Sequence, residues 1–161
     1  MARARSLSDV SPIPPIGEEH WQRALASPEG LVLVTAHVGH WEIGSMMVPG
    51  RHVHVVREEE MDPRAQQFVR DLFERQGNAS FTMQFARNDP TLGLRLLKAL
   101  RQGDMVAVQG DRPRTGGKTC TVELFGRPID LPAGPAALAR AARVSRMPGF
   151  GCRPGPPRTQ G

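Results

Sequence analysis

LVLVTAHVGHWEIG (Leu31–Gly44) is the stretch on which the reading of this chain turns. Its first six residues, LVLVTA, are an unbroken apolar and β-branched run, the pattern of a strand buried on both faces. His37, His40 and Glu42 follow at once. Ionisable groups directly after a buried strand are where an α/β fold carries its chemistry, because ligands bind beyond the carboxyl ends of the strands. The next residues, WEIGSMMV, predict the start of a helix.

Outward from this stretch, strand and helix signals alternate. HVHVV (52–56), SFTMQF (80–85) and MVAVQ (105–109) read as strands. EEHWQRALA (18–26) reads as a short helix. DPRAQQFVRDLFERQG (62–77) has Asp62 to cap a helix, Pro63 at its first position and Gly77 to end it. Its apolar stripe is Ala65, Phe68, Val69, Leu72 and Phe73. DPTLGLRLLKALRQG (89–103) repeats the device, with Leu92, Leu96, Leu97 and Leu100 as the stripe. CTVELF and GRPIDL predict a hairpin around Gly126-Arg127, and GPAALARAAR (134–143) a last helix. The alternation implies an α/β fold with a mainly parallel sheet flanked by helices. The strand-end residues His37 and Asp111 would then share one rim.

The 161 residues fit one domain, read here as 17–143. Residues 1–16 are polar and Pro-rich, and VSRMPGFGCRPGPPRTQG (144–161) has no apolar period. Both are expected to be disordered. The formal charge of +5 suits an anionic partner. Nucleic acid is disfavoured, because only 5% of residues are aromatic, tyrosine is absent and no recognition element is evident. Two cysteines make no disulfide framework and match no zinc motif, which points to a reducing compartment. No run of 18 apolar residues occurs, so membrane contact would be peripheral.

From the residues alone, three readings of His37–Glu42 stand. In the first, His37 takes a proton from a hydroxyl while Glu42, one helical turn away, orients the ring. In the second, the histidine caps a helix beside a solvated glutamate. Or His37, His40 and Glu42 hold a metal with His52 or His54, although H-x-x-H-x-E is not the H-E-x-x-H pattern of zinc proteases. No serine or cysteine stands in a nucleophile context, so a substrate would have to bring the attacking hydroxyl.

H-V-G-H-W-E resembles the H-x-x-x-x-D/E motif of the lipid A biosynthesis lauroyl/myristoyl acyltransferase family. VVREEEMDPRAQQFVRDLFERQG and GDMVAVQGDRPRTGGKTCTVELFGRPIDLPAGPAALA are similar to the family's next two blocks, in the same order. The resemblance runs from about Gly17 to Ala139. It implies a glycerolipid-acyltransferase-like fold and transfer of a fatty acyl group from an acyl carrier protein or coenzyme A thioester to a hydroxyl of a lipid or glycolipid. On that resemblance His37 is the general base and Glu42 its partner. Arg57, Asp111 and Arg112 fall in substrate-binding blocks, with Gly39 and His40 beside the base. The alternative role for Asp111 is to hold Arg112 in position. No cofactor and no metal are implied. The expected location is cytoplasmic, at the inner face of the cell membrane. Members of the family are commonly near twice this length, so the alternative is an inactive remnant that binds lipid or carrier protein. Oligomeric state stays open.

Overall fold

A computed structural model describes residues 18–38, 51–75, 81–86, 89–114 and 116–149. Helix α1 (Glu18–Ala26) belongs to one compact unit, and Pro28–Cys152 forms another. In that second unit the order is β1 (Leu31–Thr35), β2 (Val53–Arg57), α2 (Pro63–Arg75), β3 (Phe81–Phe85), α3 (Leu92–Arg101) and β4 (Met105–Gln109). Then come β5 (Thr119–Leu124), β6 (Arg127–Pro132), α4 (Gly134–Ala142) and β7 (Ser145–Pro148). Five strands make one parallel sheet in the order β3-β2-β4-β1-β7, and β5 and β6 pair separately as an antiparallel hairpin. The fold is α/β, as the alternation implied.

The apolar runs make the central strands. On one face of the sheet Val32 and Val106 are fully buried against Leu92, Leu96 and Leu100 of α3 and Ala139 and Ala142 of α4. The alternate residues Leu31, Leu33, Val53, Val55, Met105 and Ala107 are buried on the other. Period-2 alternation of side chains means a strand covered on both faces must be apolar at every position. Each fully buried Leu or Val contributes about 1.5–3 kcal/mol.

The first Asp-Pro helix start is realised, with Pro63 as the first residue of α2, and the second is not, since Thr91 rather than Asp89 precedes the first turn of α3. The Asp62 carboxylate accepts from the Arg64 N–H at 2.8 Å, and its carbonyl from the Gln66 N–H at 2.9 Å, at the head of α2. At the second, the Asp89 carboxylate accepts from both the N–H and the hydroxyl of Thr91, and α3 begins only at Leu92. In the α2 stripe, Ala65 and Val69 are half-buried, whereas Phe68 is 66% exposed and lies off the buried face.

One boundary is corrected. Residues 145–148 of the expected tail form β7, in parallel register with β1 (Leu31↔Ser145 to Val34↔Pro148). Gly149 N–H continues the ladder to the Val34 carbonyl at 2.9 Å. Without β7, one side of β1 would have no strand partner. An outermost strand tolerates the Arg and Pro of SRMP, which obscured it in the sequence. Residues 1–17 and 150–161, and the helix expected after His40, lie outside the described residues.

Candidate active site

The neighbouring strands β1 and β4 set the site. Their parallel register pairs Leu31 with Met105 through to Thr35 with Gln109. Gly110 N–H then donates to the Thr35 carbonyl at 2.8 Å, so the two strands stay joined at their carboxyl ends. Two residues past each last pair stand His37 and Asp111, 74 positions apart in the chain, the same offset as the ladder.

They meet side by side. His37 Nδ1 lies 2.8 Å from Asp111 Oδ1, and the His37 backbone N–H donates to Asp111 Oδ2 at 3.1 Å. Both carboxylate oxygens are therefore engaged by one residue, which fixes the position and rotation of the imidazole. A carboxylate only accepts, so Nδ1 carries the proton and Nε2 is left with its lone pair. Burial at the rim pushes the Asp111 carboxyl up, but the hydrogen bonds from the His37 ring and backbone outweigh it and hold the carboxyl below its usual range. The side chains are 38% and 31% exposed, so a substrate can reach them.

Gly110 is required by this approach: a Cβ there would stand 2.6 Å from Val34 Cγ1.

Asp111 thus does something the sequence reading did not assign to it. Arg112, which Asp111 was read as a possible holder of, reaches Oδ2 only at 3.9 Å and is 71% exposed. Asp111 therefore holds it only weakly. Arg57, at the end of β2, is held differently. It pairs with the Glu60 carboxylate, donates to the Glu58 carbonyl at 3.4 Å and is only 15% exposed. Any substrate anion would compete with Glu60 for it. Gly39, His40 and Glu42 lie outside the described residues, so the local His37–Glu42 pairing has no described geometry.

Arg114, on the loop after β4, is a further residue of this rim. Its Nε lies 2.5 Å from Glu58 Oε1, and its Nη1 donates to the Ala86 carbonyl at 2.9 Å. It straps the loop after β4 to the ends of β2 and β3. At the opposite, amino-terminal ends of the strands, His54 Nε2 pairs with Asp104 at 3.1 Å and its Nδ1 faces Gln84 at 3.3 Å. His52 and His54 are occupied there, far along the strand from His37. Among the described residues no group of three or more His, Cys, Asp or Glu side chains is gathered as a metal site would need. None of the described helices is long and apolar enough to cross a membrane.

A histidine oriented by a carboxylate at the carboxyl ends of central parallel strands agrees with the family suggested by the motif blocks. The model of the bacterial lipid A biosynthesis acyltransferase family matches residues 4–154. The chain belongs to that family. Phosphatidylinositol mannoside acyltransferases of two Mycobacterium tuberculosis strains, CDC 1551 / Oshkosh and ATCC 25618 / H37Rv, are each 30% identical to it over 137 residues. The aligned region is 82% of this chain and 42% of each relative, so the chain spans about two fifths of the length of the curated relatives it matches.

Proposed function

We propose that this member of the acyltransferase family moves a fatty acyl group from a thioester donor, carried on an acyl carrier protein or coenzyme A, to a hydroxyl of a lipid or glycolipid. The observation that carries the reading is the His37–Asp111 pair at the ends of β1 and β4. Nε2 of His37 takes the acceptor hydroxyl's proton. The oxygen attacks the thioester carbonyl, the tetrahedral intermediate collapses, the carbon–sulfur bond breaks and the thiolate leaves. Asp111 stabilises the imidazolium formed in the first step and keeps Nδ1–H pointed at itself. The imidazolium can return its proton to the thiolate. Base catalysis of this kind is worth roughly 10²–10⁴-fold.

Arg112 is suited to a phosphate on donor or acceptor, and Arg57 becomes so if Glu60 releases it. Glu42 follows His37 at the family's motif spacing and is proposed as a second acidic group beside the base. We place the protein at the inner face of the cell membrane, where such lipid acceptors lie.

The test is transfer of a radiolabelled acyl group from thioester to lipid extract. His37→Ala should lower the rate at saturating substrates by about 10²-fold or more. Asp111→Asn should lower it by a similar order with little change in donor KM, because an amide can present its NH₂ to Nδ1 and select the wrong tautomer. Parent-like rates for both variants, with chemistry limiting, would reject the pair. A protein that binds lipid or carrier but transfers nothing would favour the remnant reading.

A further inference from the structure

The hairpin of β5 and β6 differs from the rest of the fold. Residues directly opposite in an antiparallel ladder share a face. The register therefore gathers Cys120, Val122 and Leu124 with Leu131, Ile129 and Arg127 on one face. Thr119, Thr121 and Glu123 join Pro132, Asp130 and Pro128 on the other. The first face is apolar with a cation at its outer end. The second is polar, and there the Thr121 hydroxyl donates to Asp130 at 2.6 Å. Every residue of β5 is exposed, Leu124 at 48%.

The turn adds a second observation. Phe125 and Gly126 both have positive φ, 52° and 72°, the geometry of a tight two-residue hairpin turn. Asn or Asp is favoured at the first of these positions, and a bulky aromatic is strained there. Yet Phe125 sits at it with 96% of its surface exposed. Backbone strain spent on presenting a phenyl ring to water needs a binding partner to make sense of it.

We propose that this hairpin is a membrane finger: Phe125, Leu124 and Val122 enter the acyl boundary of a phospholipid bilayer, while Arg127 and Lys118 meet anionic headgroups. A lipid surface fits better than a protein. Five apolar side chains on two short strands fall well below the roughly 1,000 Å² that a stable protein interface buries. The exposure is greatest at the tip, which makes a wedge rather than a flat patch. A bilayer accepts a wedge without a complementary surface and attracts basic side chains to anionic lipid. The hairpin's acids, Glu123 and Asp130, stand on the opposite face. The whole chain is net positive at +5. The finger also leaves and re-enters the fold at the rim that carries His37 and Asp111. Ala133 N–H closes its base on the Lys118 carbonyl at 2.9 Å, and a Cβ at Gly110 would stand 4.0 Å from Pro135 Cγ. The inference rests on the hairpin's own faces and does not depend on the catalytic reading.

The full-length chain is co-sedimented with phosphatidylcholine vesicles, with and without phosphatidylglycerol. The parent should partition onto the anionic vesicles. Phe125→Ser with Leu124→Ser should lower its partition constant by about 10–100-fold. Lys118→Gln and Arg127→Gln should each lower it by about fivefold, on anionic vesicles only. As a second readout, an environment-sensitive fluorophore is placed on Phe125→Cys or Thr121→Cys, each in a Cys120→Ser, Cys152→Ser background. Its emission should move to the blue on vesicles at position 125 and stay unchanged at 121. A parent that ignores vesicles, serine variants that bind as the parent does, or equal shifts at both label positions would overturn the proposal. So would lipid-free self-association that the Phe125→Ser change abolishes, since that would make a second copy the occupant.

Discussion

His37 is held by a residue 74 positions away. Glu42 follows it by five residues, and local spacing drew attention there first. The described geometry gives both oxygens of Asp111 to His37. The signal for this was present in the sequence but needed one more quantity. LVLVT and MVAVQ are buried runs of equal length, and each is followed by one residue and then an ionisable group. Only the ladder register, which no local pattern specifies, turns equal distances into contact. A depressed carboxyl pKa also sets a pH limit. Because Asp111 titrates lower in the folded chain than in the unfolded one, the unfolded chain takes up this proton first as pH falls. Its contribution to stability is present above the ordinary carboxylate value, near 4, and is lost as pH falls through the lower folded value. Asp89 follows the same rule more strongly. The Thr91 hydroxyl, then the Arg95 guanidinium and the Thr91 N–H, hold its pKa down to about 2. Asp89→Asn should therefore flatten the loss of stability between about pH 4 and pH 2 while leaving the melting curve's response near neutrality unaltered. Acid titration of the thermal midpoint measures this, and an unchanged acid limb would show that Asp89 does not couple to folding.

Elements whose burial is written into every residue were legible at once. β1 and β4 read directly as strands, and Leu92, Leu96 and Leu100 of α3 fall on its buried stripe. β7 was not legible, because four residues at a sheet edge need satisfy hydrogen bonding on one side only and SRMP carries no burial pattern. Phe68 misled in the other direction, since helical spacing reveals a stripe but not its exact width. The tightest joint between elements lies at Gly30, just before β1. A Cβ there would stand 2.2 Å from the Leu100 carbonyl oxygen at the end of α3. That neighbour is backbone and cannot rotate away. Gly30→Ala should destabilise the protein by about 1–3 kcal/mol or more by forcing α3 off the sheet. Gly93→Ala, with nothing within 4 Å of the added carbon, should be neutral or stabilising. Urea melts of the two variants make the comparison, and equal midpoints would mean that the joint is slack.

At the scale of the sheet, β1 lies between β4 and β7, and its pairing with β7 is the part of the architecture the sequence concealed. A chain ending at Arg143 leaves β1 as a bare edge beside α4. A chain ending at Cys152, the limit of the unit that holds the sheet, keeps the strand. The shorter chain should melt several degrees lower and aggregate on heating, since an unprotected edge pairs with other chains. Equal melting of both chains would show that β7 adds no stability to the sheet.

The equal offset of His37 and Asp111 from their strand ends has a consequence for the order of events in folding. Helices α2 and α3 can form from local contacts, but His37 and Asp111 come together only when a loop of more than seventy residues closes. Closing such a loop costs entropy before the strand pairing repays it. The pair therefore has no existence in a half-collapsed chain, and the proton abstraction we propose becomes available only when the centre of the sheet zips. A newly made chain would carry an unpaired histidine until MVAVQGD had emerged and docked, so the chemistry proposed for the pair is timed by its slowest topological step.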